Sequence, residues 1–174
     1  MKEKREQKKQ EAAHLEQQAK DTRKKVEAEK KAEVERKRRE AVIAKALARV
    51  VPGKRFASDF FEQVDEEILS SAAEGGDPRA QYVWGRLHVS DVGLRNDEKE
   101  AAKWYQKAAV QDYKDAQNGL GRMYEKGQGV EKNEVKAVEW YRKAAKQGHA
   151  DAQFNLGWMY ENGRGAEKNE AEAV

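Results

Sequence analysis

Nine side chains recur in register along this chain, and their types suit recognition of another molecule better than catalysis. Arg79, Tyr82 and Arg86 stand 3 and 4 residues apart, Asp115, Asn118 and Arg122 repeat that spacing 36 residues on, and Asp151, Phe154 and Trp158 repeat it once more. Val89, Glu125 and Glu161 extend each row by one step. Steps of 3 and 4 put residues on one stripe of an α-helix, so three equivalent helices side by side would merge these rows into one wall. Guanidinium, amide, carboxylate and aromatic groups on such a wall can hydrogen-bond, pair charges and stack. Trp, Tyr and Arg in particular dominate the energetics of protein interfaces. The expected surface has a polar Arg–Asn centre that runs into an aromatic patch at Phe154 and Trp158. A competing use of that patch is burial beneath a further repeat.

Other chemistries find no support. His14, His88 and His149 are isolated, and no metal-ligand spacing, phosphate loop or nucleophile motif is present. The chain has no cysteine, which excludes disulfides, thiolate metal sites and a catalytic thiol. Carboxylates are abundant, but at helical spacing they fall mostly on solvated faces, where a pair has no dry pocket to tune it. Neither catalysis nor a metal or cofactor is therefore expected. His149 occupies a turn where Tyr113 stands one unit earlier, which suggests a structural role.

The elements that must position the nine residues are visible as a repeat. AQNGLGRMYEKGQGVEKNEVKAV at 116–138 and AQFNLGWMYENGRGAEKNEAEAV at 152–174 agree at 15 of 23 positions. A period in the range of about 20 to 50 residues indicates a stacked solenoid. The first helix of each unit carries Ala80, Trp84 and Gly85, then Ala116, Leu120 and Gly121, then Ala152, Leu156 and Gly157. A mid-helix glycine costs roughly 1 kcal/mol against alanine, so its recurrence at one register argues for a close helix crossing. Ala116, Leu120, Met123 and Tyr124 form the expected buried stripe. Gly127-Gln128-Gly129 and Gly163-Arg164-Gly165 then break the helix. The second helix, AAKWYQKAA at 101–109 and AVEWYRKAA at 137–145, sets one tyrosine among alanines, with Trp104 and Trp140 packing across to a neighbouring helix.

The combination A-Q-x-x-L-G-x-M-Y-E-x-G-x-G-V, K-A-V-E-W-Y-R-K-A-A and Q-G-H-A-D-A-Q resembles the Sel1-like repeat family, a tetratricopeptide-like group, over residues 65–174. The resemblance implies an all-α, right-handed superhelical solenoid of antiparallel helix pairs, the first helix of each pair lining the concave side. It also implies a non-catalytic adaptor that assembles protein complexes. Some family members carry cysteine pairs and are exported, and this chain has none. Repeat 1 departs from the pattern, with Asp91 in place of the loop glycine and His88 in place of the tyrosine, so a looser loop is expected there.

The N-terminal third is a different object. Residues 1–55 carry 19 Lys and Arg against 10 Asp and Glu, a balance of +9, so residues 56–174 carry 16 against 22, a balance of −6. Residues 1–40 hold 25 charged side chains and few apolar ones, chiefly Leu15, Val26 and Val34. That is too little to bury a core, yet the composition favours helix and no Gly or Pro interrupts it. Glu16–Lys20, Asp21–Lys25, Glu27–Lys31, Glu33–Lys37 and Glu35–Arg39 fall at the supportive i, i+4 spacing. A solvated helix or tail is one outcome. A coiled coil through Ala12, Leu15, Ala19, Thr22 and Val26 is another, though its seam meets Glu29 and Glu33. The interleaved acids and the lack of aromatics argue against nucleic acid.

The expected organisation is a charged arm over 1–50, a transition and capping helix over 51–78, and repeats at 79–114, 115–150 and an incomplete 151–174. Val42, Ile43, Ala46, Leu47 and Val50 should share a face before Pro52-Gly53, and a helix is expected over 58–74, capped by Ser58 or Asp59 and carrying Phe61, Val64, Ile68 and Ala72. No apolar run approaches the length of a membrane span. As written, the chain is expected in the cytoplasm, and exported or membrane-tethered if residues precede Met1. The expected function is binding of a protein or peptide in the concave groove, with a tether that dimerises through an N-terminal coiled coil as the alternative.

Overall fold

The computed structural model describes residues 2–49, 64–89 and 95–165. Seven helices occur among these residues: α1 (Lys2–Ala48), α2 (Glu66–Glu74), α3 (Pro78–His88), α4 (Glu98–Ala109), α5 (Lys114–Lys126), α6 (Glu134–Lys146) and α7 (Ala150–Glu161). No strand occurs among them. The chain divides into two compact units, Met1–Ala41 and Val42–Val174.

The first unit is helix alone. Glu16–Lys20, Glu33–Lys37 and Glu35–Arg39 close as ion pairs along its surface, and Arg36 reaches both Glu33 and Glu40. Asp21 instead accepts a hydrogen bond from Gln17 one turn earlier. Leu15, Val26 and Val34 are exposed.

The second unit is an all-helical solenoid with three successive clusters of buried side chains. Ile43 and Ala46, at the end of α1, are buried with Val64, Leu69, Ala72, Val83, Trp84 and Leu87. The expected stripe at Val42, Ile43, Ala46 and Leu47 is therefore realised, while Val50, Pro52, Gly53, Ser58, Asp59 and Phe61 lie outside the described residues. The continuous helix expected over 58–74 is interrupted at Val64 and Asp65. Val64 and Asp65 are non-helical, and the Asp65 carboxylate accepts from the Ile68 amide, so the helix begins at Glu66. Buried Val64 before the cap shares a cluster with Leu69 in the first turns, the arrangement that fixes a chain's entry into a helix.

Each crossing of a first and second helix is keyed by a glycine and a tyrosine. A Cβ on Gly85 would lie 2.7 Å from the Tyr105 ring, and one on Gly121 would lie 2.7 Å from the Tyr141 ring. These are the close approaches that the recurring glycines predict. Gly119 presses on the opposite edge of Tyr105, where a Cβ would sit at 2.8 Å, so that ring lies between two consecutive first helices. Trp104 packs into the preceding cluster, and Trp140 packs against the cluster built on Ala101, Ala108 and Leu120.

Glutamines stitch the units together. The side-chain amides of Gln81, Gln117 and Gln153 donate to the carbonyls of Ala73, Ala109 and Ala145, each at the C-terminal end of the preceding helix. Gln111 donates in turn to Gln81, and Gln147 to Gln117. Each of these helix-end carbonyls also accepts a backbone amide of the following turn, from Gly76, Asp112 and Gly148, so the glutamine supplies its second hydrogen bond. The loops complete the joint. Gly127 ends α5 in the left-handed region at φ 73°, and Gly129, at φ 68°, lies where any Cβ would overlap the Glu98 carbonyl of the previous unit. In repeat 1, α3 ends at His88, and Asp91 lies outside the described residues.

Candidate functional site

The first helices of the repeats, α3, α5 and α7, carry the nine expected residues, and six of these line a single cleft of about 340 Å³: Tyr82, Arg86, Asp115, Asn118, Arg122 and Asp151. Tyr105 forms part of the lining, and its ring stacks on Tyr82 with centroids 5.6 Å apart and planes inclined by 22°. Tyr113 meets the same ring at 5.4 Å in a tilted arrangement. Val89, on the extended row, also reaches the cleft.

Two of the six are less accessible than a simple wall implies. Arg86 is 7% exposed and Asn118 8%, whereas Arg122 is open to solvent. Asn118 Oδ1 accepts from Asn155 at 3.3 Å, which leaves its Nδ2 as a donor. Burial raises the Tyr82 phenol above its ordinary value, against the pull of the hydrogen-bonded Arg86, so the hydroxyl stays neutral and does not cancel the guanidinium charge. Burial likewise pushes Tyr105 up, with Tyr82 adding to it.

The acids in the cleft have partners within the fold. His149 caps α7, its Nδ1 accepting from the Ala152 amide at 3.3 Å, and its Nε2 lies 3.2 Å from Asp115 Oδ1. With Nδ1 accepting, the ring proton sits on Nε2 and is donated to Asp115. Glu98 accepts from Gln128 at 3.2 Å. His149 is thus structural, as its place in the turn suggests, and it also holds the Asp115 carboxylate in place. Glu98, Lys114 and Tyr105 are further lining residues that the row spacing did not single out. They lie on a second helix or at a helix start, and only the stacking of units brings them in.

Three expected residues lie outside the cleft. Arg79 is exposed and pairs with the Asp77 cap of its own helix at 2.8 Å. Phe154 is 74% exposed. Trp158 is 39% exposed, and the Arg164 guanidinium stands 4.8 Å from the centre of its ring. Arg164 is held there by Glu134 at 2.7 Å and Glu125 at 3.4 Å, and Glu125 also accepts from the Tyr141 hydroxyl at 2.7 Å. The aromatic patch is therefore split into a free ring and a partly covered one.

The Sel1 repeat profile matches three consecutive stretches, residues 78–113, 114–149 and 150–174. The chain belongs to the Sel1 repeat family. The solved Sel1 repeat protein from Oxalobacter formigenes is similar, with 32% identity and a TM-score of 0.58 over 62% of this chain and 31% of that one. So is c5321, a protective antigen of uropathogenic Escherichia coli with the same type of fold, with 29% identity and a TM-score of 0.60 over 81% of this chain and 31% of that one. The chain thus spans about a third of the length of these two relatives. None of the curated proteins matches it. Sel1 repeat proteins are generally non-catalytic scaffolds for protein interactions. Among the described residues, no group of three or more His, Asp or Glu side chains could hold a metal ion, and no helix is long and apolar enough to cross a membrane.

Proposed function

We propose that this chain binds a segment of a protein partner along the wall formed by α3, α5 and α7, with no catalytic step. The observation that carries the reading is the convergence of Tyr82, Arg86, Asn118 and Arg122, from two different repeats, on one cleft. Recognition would combine polar contacts there with the exposed Phe154 ring as a separate anchor. Peptides selected from a random displayed library against the full chain provide the test, followed by Arg122→Ala, Phe154→Ala and Trp158→Ala. Selected peptides should lose affinity for these variants at unchanged Tm. Peptides indifferent to all three sink the reading.

A second reading, self-association through α1, has one observation in its favour. Leu15 and Val26 are exposed and lie about 20° apart around the helix. Light scattering of the full chain across a concentration series decides it, since a tether requires a concentration-dependent dimer that Leu15→Lys abolishes.

A further inference from the structure

We propose that the cleft between α3 and α5 selects a single acidic side chain of the bound segment, its carboxylate met by Arg86 and Arg122. This rests on the groove reading above and names the chemistry of its occupant. The two guanidiniums come from successive repeats, line the same cleft, and both act electrostatically on the Tyr82 hydroxyl. Lys114 adds a third positive charge at the lining. Against them stand three acids, of which Asp115 receives the His149 proton and Glu98 accepts from Gln128. Those two carboxylates keep their charge, so three positive and three negative side chains balance over the lining as a whole; the positive pole for an incoming group is the Arg86 and Arg122 pair that acts on the Tyr82 hydroxyl, and exposed Asp151 is a negative one.

Geometry limits the occupant to something small. A volume of about 340 Å³ is at the lower end of small-ligand pockets, roughly 300–1,000 Å³, and has room for one or two side chains. A carboxylate suits it because the planar guanidinium fork matches two carboxylate oxygens, and the Asn118 Nδ2 supplies a neutral donor beside it. The stacked Tyr82 and Tyr105 rings offer an apolar face to the methylenes that carry the carboxylate. Asp151 would repel a second acid placed alongside, so one acid in a neutral context should bind better than an acidic run.

The probe is a pool of nine-residue peptides with Asp or Glu fixed at the centre and uncharged residues elsewhere, beside a matched pool with Asn or Gln at the centre. Fluorescence polarisation with the full chain should favour the acidic pool by about tenfold, as hydrogen bonds to a charged group imply. That preference should shrink as salt is raised. Arg122→Gln should remove most of it. Arg86→Gln should do the same, but its buried position makes exposed Arg122 the primary variant. Equal binding of the two pools, or a preference unchanged in Arg122→Gln, overturns the inference. Binding that ignores central charge but is lost in Phe154→Ala and Trp158→Ala overturns it while leaving the groove reading in place. Binding that no groove substitution alters overturns both.

Discussion

In α1 the helix is supported by contacts along its own surface, Glu16 to Lys20, Glu33 to Lys37 and Arg36 to Glu33 and Glu40, all between exposed side chains. In α5 and α6 the support comes from elsewhere in the chain: the Tyr141 ring against Gly121, the Gln117 amide on the Ala109 carbonyl, the Gly129 loop against Glu98. The first kind of contact is local, exposed and electrostatic. The second is non-local, buried and mostly uncharged, so salt and moderate acid should act on one region and substitutions of shape on the other. All four tryptophans, Trp84, Trp104, Trp140 and Trp158, belong to the repeats. Their fluorescence reports the repeats alone, whereas far-ultraviolet circular dichroism reports both regions.

The comparison is broken most severely at Tyr141, which is fully buried. Tyr141→Ala should destabilise the repeats by about 3–5 kcal/mol, the range for large-to-small changes of a buried aromatic. The measurement is denaturant unfolding followed by tryptophan fluorescence. Tyr141→Phe keeps the ring and loses only the hydrogen bond to the Glu125 carboxylate, so about 1.5–3 kcal/mol is expected. Equal losses for the two variants would mean that the ring in its glycine notch is not what joins the helices.

Gly129→Ala should follow, at about 1–3 kcal/mol, because the left-handed backbone and the overlap with the Glu98 carbonyl act together. The cost should appear in the same fluorescence transition. Gln117→Leu should lie at the low end of that range, about 1–2 kcal/mol, since it leaves the Gln147 amide without its partner and the Ala109 carbonyl with the Asp112 amide alone. A neutral Gln117→Leu would show that the glutamine chain decorates the stack rather than joining it.

Much of this was legible in residues alone because a repeat exposes its own constraints. The recurrence of Gly85 and Gly121 pointed to close crossings, and Gly127 to a left-handed stop, since few other physical reasons place glycine at one register. The Ala-Gln pair recurred just as visibly, yet its role was hidden. Gln117 bonds to residues 8 positions back and 30 ahead, and neither distance follows from the 36-residue period. Helical spacing within each row defines the wall, and that spacing carries nothing about the rotation from one unit to the next. Row spacing thus groups Arg86 and Asn118, which line one cleft, but it does not give their depth. Glu66 as a helix start escaped because residues 58–74 keep a helical pattern through Asp65, and only the cap bond to Ile68 reveals the break.

The smallest perturbation tests the arm. Arg36 hydrogen-bonds the Glu33 carboxylate and holds its pKa below the ordinary value of 4.5, against an opposing effect of desolvation, with the Arg36 charge and Lys37 also contributing. A folded-state pKa lower than the unfolded one means that the stabilisation is present above 4.5 and lost as pH falls through the folded value beneath it. Glu134 in the repeats has the same sign through Arg164 and Lys132, but the Gly–Tyr crossings and glutamine bonds around it do not titrate. Acidification from about pH 6 to about pH 3 should therefore lower the helical dichroism while tryptophan fluorescence barely moves. Raising salt to about 1 M at neutral pH should reproduce the effect, because the Debye length falls to about 3 Å, comparable to the spacing of the paired groups. Glu33→Gln should trim the acid-dependent part of the signal, since Arg36 and Lys37 lose their shared partner. If dichroism and fluorescence fall together in either titration, the two regions do not respond separately and the contrast between them fails. If neither moves, the ion pairs are ornamental, and α1 is held by the helix propensity of its Ala, Glu, Lys and Arg residues alone.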